Sequence, residues 1–98
     1  SIKYKQVEFM KEHLGEVFDG TISGVTEFGF YVEVNENKCE GMVPMRDLKD
    51  DYYEFDEKNF CLRGRASHHC YNLGDSVKIQ VARADLFRKQ LDYKLVRE

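Results

Sequence analysis

Phe18-Asp19-Gly20-Thr21-Ile22-Ser23-Gly24-Val25-Thr26-Glu27-Phe28-Gly29-Phe30-Tyr31-Val32-Glu33-Val34 decides how the chain folds. It reads as two strands joined by a tight corner. Phe18 and Ile22 share one parity, and Val25 breaks it. A bulge or kink near Gly24 accounts for the break, because glycine tolerates the required backbone geometry. After Gly29 the alternation restarts, with Phe30, Val32 and Val34 on one face and Tyr31 and Glu33 on the other. The inner face is therefore filled without Phe28 or Tyr31. Two aromatics at a corner and on an outer strand face, beside a glycine, match the stacking platforms of single-stranded nucleic acid binders.

Outside this stretch the periodicity changes. In Ser1–Leu14, Tyr4, Val7, Met10 and Leu14 follow helical spacing, and Gly15 closes the segment. No second helix is available to cover that stripe. Residues 1–14 are thus expected to be either the tail of a preceding domain, with the chain a fragment, or a cap on one end of a barrel. Strands follow over 16–25, 28–34 and 39–45, with Met42 expected inward and a helical turn after Pro44. Residues 49–73 are least regular and suggest a small hairpin around Asp56-Glu57-Lys58-Asn59. Val77, Ile79 and Val81 alternate as a fourth strand running to Asp85. Leu91, Tyr93 and Leu95 alternate as a fifth, after a loop containing Arg88 and Lys89. Five strands, the first of them kinked, fit an all-β, five-stranded antiparallel Greek-key barrel over Glu16–Val96, with an N-terminal helix and a hairpin insertion between strands 3 and 4.

Composition bounds the class. Ninety-eight residues, 42% hydrophobic and 34% charged, suit one domain with a modest core. No apolar run approaches a membrane span, so no membrane partner is expected. Three cysteines, Cys39, Cys61 and Cys70, cannot all pair, which points to free thiols in a reducing, cytoplasmic setting. The net charge of −3 conceals a gradient: residues 1–48 hold five Lys/Arg against nine Asp/Glu, and residues 63–98 hold eight against four. A chain polarised in this way can present a basic face.

Catalytic and metal chemistry find little support. Asp50-Asp51 is a carboxylate pair, but bare neighbours in an acidic turn lack the further oxygen donors that a hard cation needs. Cys61, His68, His69 and Cys70 offer zinc-type atoms without a zinc-type spacing. No cysteine has a base and an orienting acid at a familiar spacing. No catalytic or metal residue is assigned.

The ordered series Gly20-Thr21-Ile22, Phe28-Gly29-Phe30-Tyr31-Val32, Glu40-Gly41-Met42-Val43, Leu73-Gly74-Asp75-Ser76-Val77 and Val81 to Asp85 resembles the S1 RNA-binding domain, an OB-fold, across Gly15–Val96. Lys49-Asp50-Asp51-Tyr52-Tyr53-Glu54-Phe55-Asp56-Glu57, Leu62-Arg63-Gly64-Arg65 and Tyr71-Asn72-Leu73-Gly74-Asp75 resemble the S1 insertion of bacterial ribonuclease R. The lead-in Tyr4-Lys5-Gln6-Val7-Glu8-Phe9-Met10 is similar to the end of that family's catalytic domain. The resemblance implies residues 15–98 as the S1 domain, with its insertion at about 49–73, of a processive 3′-to-5′ exoribonuclease of the ribonuclease II superfamily.

It further implies single-stranded RNA and the parent's own catalytic domain as partners. Magnesium is implied in that catalytic domain, and no cofactor in this fragment. Phe28 and Tyr31 fall on the family's stacking aromatics, and Asp85 on the Asp ending its fourth strand. The basic residue that follows falls on Arg88 or Lys89, with Gln90 as a third occupant of the slot. Pro44 stands where the family often has histidine. An S1 domain from a translation or transcription protein, or a barrel used for protein docking, are the competing assignments.

Overall fold

The computed structural model describes residues 1–97; Glu98, the last residue assigned to the barrel domain, lies outside them. Helix α1 (Ile2–Lys11) is followed by β1 (Val17–Thr26), β2 (Gly29–Val34) and β3 (Glu40–Pro44). A 3-10 turn over Met45–Asp47 leads to β4 (Tyr53–Asp56), β5 (Cys61–Gly64) and β6 (Cys70–Asn72), and the chain ends with β7 (Ser76–Asp85) and β8 (Gln90–Leu95). Strands β1-β2-β3-β8-β7 close into a barrel, and β4-β5-β6 form a separate three-stranded sheet.

The barrel is mixed rather than wholly antiparallel. Four of its strand pairs are antiparallel, while β3 and β8 run parallel, paired at Met42 and Asp92. An odd ring of strands cannot alternate direction all the way round, so five closed strands force one parallel pair.

The bulge expected near Gly24 is present. Ile22 faces Val32 and Gly24 faces Tyr31, which leaves Ser23 as the extra residue. Parity switches across it, so Ile22 and Val25 both turn inward. Phe30, Val32 and Val34 are fully buried, as their alternation requires, and meet Ile79, Val81, Leu91 and Tyr93 in the core.

Three local expectations are corrected. The helix stops at Lys11, because the N–H groups of Glu12 and His13 turn back to the carbonyls of Phe9 and Met10. Leu14 therefore leaves the helical face and is exposed, as is Tyr4, and only Val7 and Met10 of the stripe are buried. Those two join the barrel core, so α1 lies on β7 and β8. Met42 faces outward, because β3 turns Gly41 and Val43 inward where the Tyr93 ring lies across Gly41.

The insertion is a three-stranded sheet rather than a hairpin. It is fixed to the barrel through aromatics: Tyr71 stacks on Phe30 at 5.0 Å between centroids, and Tyr53 meets Tyr71 at 5.3 Å. Among the described residues no helix is long and apolar enough to cross a membrane.

Candidate nucleic-acid interface

Phe28 sits at the β1–β2 corner. The Thr26 hydroxyl accepts from the Phe28 N–H at 3.1 Å and donates to the Gly29 carbonyl at 3.2 Å. The Phe28 carbonyl accepts from the Met45 N–H at 2.8 Å. Gly29 adopts φ +151° and packs directly on the backbone of Val43 and Pro44, where a Cβ would collide. A rigid corner thus holds a Phe28 side chain that is 70% exposed. Burying such a ring would have been favourable, and the fold leaves it out.

Tyr31 is 37% exposed and lies over Gly24. Cross-strand pairing puts Gly24, Tyr31, Met42, Asp92 and Arg83 in one row across β1, β2, β3, β8 and β7. Directly paired residues share a face, so this row forms the outer surface beside the corner.

Asp85 is mostly covered and acts as an acceptor within the loop. Its Oδ1 accepts from the Arg88 N–H at 3.0 Å, and its Oδ2 accepts from Arg83 Nη2 at 3.3 Å, with Arg88 Nε at 4.0 Å. The Arg88 N–H is the main cause of a carboxyl pKa below the usual range, opposed by partial burial and helped by the two guanidinium groups. Asp85 therefore aims Arg83 and Arg88, whose own side chains are largely exposed. Phe87, at the tip of the same loop, is 95% exposed.

Lys89 takes a left-handed φ of 56°, which turns the chain back into β8. It lines a groove of about 240 Å³ with Tyr31, Met42, Gln90, Asp92 and Lys3. Tyr31 and Lys89 are thus brought together, with Gln90 beside them. Phe28 lies off that groove at the corner, and Arg88 is outside its lining. Lys3, Met42, Arg83 and Phe87 were missed from the sequence. Lys3 reaches the groove from α1, where its ammonium donates to the Glu40 carbonyl, and burial pulls its pKa down. No local sequence signal could have placed it there. Arg83 was concealed by a second bulge, between Val81 and Arg83, which shifts the parity of β7.

The acidic pair set aside as a cation site has other work. Asp51 accepts from the N–H and hydroxyl of Ser67 at 2.8 and 2.6 Å, and from the N–H groups of Tyr52 and Ala66. Asp50 pairs with Arg97 at 2.8 Å and accepts from the Tyr53 hydroxyl at 3.0 Å. On the insertion, Arg63 donates to Cys70 Sγ at 3.0 Å and pairs with Asp56 at 3.0 Å.

Comparison with known proteins places this geometry. Ribonuclease R of Thermotoga maritima is 39% identical over 97 residues, covering 99% of this chain and 14% of that protein. Ribonuclease R of Escherichia coli is 37% identical over 89 residues, covering 91% and 11% respectively. The acetazolamide conferring resistance protein zam of Synechocystis is 43% identical over 88 residues, 90% of this chain and 11% of that protein. The chain thus spans a small part of each relative. RNase R of Mycoplasma genitalium superposes in its apo form with a TM-score of 0.93 at 25% identity, over 97% of this chain and 15% of that one. The same enzyme in complex with ribose methylated single-stranded RNA superposes with a TM-score of 0.92. The S1 RNA binding domain family matches residues 11–94, and the chain belongs to that family.

Proposed function

We propose that this chain is the single-stranded RNA-holding module of a ribonuclease R-like 3′-to-5′ exoribonuclease. The observation that carries the reading is the pair Phe28 and Tyr31, both kept out of the core, Phe28 on a rigid corner and Tyr31 on a strand where it lines a groove with Lys89. Exposed rings of this kind take successive bases by stacking, worth ~1–3 kcal/mol per base. Arg88 and Lys89 neutralise phosphates, and Asp85 positions Arg88 through its backbone and guanidinium. The RNA-bound relative, at a TM-score of 0.92, supports the same assignment.

In this reading the module binds and does not cleave. It holds a strand near the parent's catalytic domain and so raises local substrate concentration there. Magnesium belongs to that domain, where it would stabilise charge at the scissile phosphate. In this chain the Asp50 and Asp51 oxygens are already committed to Arg97, Tyr53 and the 66–67 loop. The outer face of α1, with Ile2 and Phe9 exposed, is the surface this reading gives to the catalytic domain. The parent would act in the cytoplasm.

The test is incubation of the purified chain with end-labelled single-stranded RNA and magnesium. Retarded but intact RNA is the expected result. Nucleotide release that co-purifies with the chain and disappears on Asp50→Asn/Asp51→Asn substitution would overturn the reading.

A further inference from the structure

The insertion carries an exposed aromatic of its own. Tyr52 is 71% exposed, whereas its neighbour Tyr53 turns into the core at 4%. Its backbone is pinned on both sides. The Tyr52 N–H donates to Asp51 Oδ1 at 2.6 Å, and its carbonyl accepts from the Arg65 N–H at 2.8 Å. The Arg65 guanidinium lies over the Tyr52 ring at 4.9 Å from the centroid, and Glu54 fixes it through two donors at 2.8 and 2.6 Å. A ring held in this way gives up little freedom when it meets a flat partner.

Tyr52 also borders a groove of about 350 Å³, together with Met45, Arg46, Leu48, Asp51 and Tyr53. Met45 is the link to the barrel, since its N–H donates to the Phe28 carbonyl. Phe28 and Tyr52 therefore flank one short turn, and Arg46 is an exposed cation on that turn. Three of the nearby acids are engaged, Asp50 by Arg97, Asp51 by the 66–67 loop and Glu54 by Arg65, and Asp47 stands exposed beside Arg46 on the turn.

We propose that a single strand seated on Phe28 and Tyr31 continues over the Met45–Arg46 turn and stacks a further base on Tyr52, with Arg46 on the intervening phosphate. The proposal rests on the RNA-holding reading of the barrel and extends it onto the insertion. Single-stranded RNA is the occupant because the groove meets the barrel at Met45, which is bonded to the Phe28 backbone, and because a stacked Arg–Tyr pair beside a cation suits a base and its phosphate.

The experiment measures binding of oligoribonucleotides of about four and about ten nucleotides, bracketing the shorter site sizes of one OB-fold. Tyr52→Ala is expected to weaken the longer strand by roughly five- to a hundredfold, with little effect on the shorter one. Because stacking is uncharged, the salt slope should not change, whereas Arg46→Ala should lower it by ~0.7. Tyr52→Phe should bind like wild type. If Tyr52→Ala binds the longer strand normally while Phe28→Ala does not, the extension is wrong and the barrel reading survives. If neither substitution matters to an RNA that still binds, both readings fail. Equal loss at both lengths also overturns a distal site. In the wild-type chain, a photoreactive uridine at one end of the longer strand should crosslink to the peptide containing Tyr52. Crosslinks confined to barrel peptides at either end would refute the proposal, however the variants fold.

Discussion

Gly41→Ala should destabilise the domain far more than one methyl group suggests. An ideal Cβ at Gly41 would stand 2.7, 2.7 and 2.8 Å from three carbons of the Tyr93 ring. Carbon atoms prefer about 3.5–4.0 Å, so the ring must retreat by about 1 Å. It has nowhere to go, being 1% exposed in a close-packed core. Its hydroxyl also donates to the Cys39 carbonyl at 2.9 Å. Overpacking of this kind costs about 1–3 kcal/mol, and loss of the hydroxyl's bond adds about 1 kcal/mol. The sum of about 2–4 kcal/mol corresponds to a fall in melting temperature of roughly 10–30 °C for a domain of this size. Thermal and urea unfolding followed by circular dichroism measure it. In a Tyr93→Leu background the ring is gone, and the same substitution should cost under about 0.5 kcal/mol, a strong departure from additivity. A Gly41→Ala protein melting within about 2 °C of wild type, or an equal loss in the Tyr93→Leu background, would refute this account of how β3 and β8 meet.

Two further outcomes follow from the charged groups. Arg88→Ala with Lys89→Asn, asparagine being tolerant of the left-handed turn, should weaken RNA binding evenly across sequences and lower the single-strand salt slope by ~0.7 per lost contact; a titration over salt concentration checks it, and an unchanged slope would place the phosphates elsewhere. Asp56, held down to about pKa 2 by Asn59 first and then Arg63, binds its proton less readily folded than unfolded. Its contribution is therefore present above the unfolded value of about 3.9 and lost as pH falls towards 2, a dependence that Asp56→Asn should remove from acid unfolding curves.

Alternation exposed the barrel strands because each has one inner face, and Phe30, Val32 and Val34 follow it without exception. The bulge in β1 was legible because a change of parity between Ile22 and Val25 leaves few alternatives. The second bulge was not, because Ala82, Arg83 and Ala84 contain no large apolar residue to mark the switch. Met42 misled because size suggested an inner position, whereas the space over Gly41 belongs to Tyr93, fifty-odd residues away in sequence. The parallel β3–β8 pair was implicit in the odd number of strands. Of the candidate site, the corner aromatics were local features and could be read directly. Which cation joins Tyr31 depended on how the β7–β8 loop turns at Lys89, and the contribution of Lys3 depended on α1 packing against the barrel.

In the proposed function Phe28 and Tyr31 are kept exposed in order to stack RNA bases. This role is tested most directly by the dissociation constant of single-stranded RNA for Phe28→Ala and for Tyr31→Ala, measured against wild type at one salt concentration. Each variant should keep the wild-type circular dichroism spectrum and bind roughly five- to a hundredfold more weakly, the equivalent of ~1–3 kcal/mol per lost stack. Two folded variants that bind RNA as tightly as wild type would contradict it.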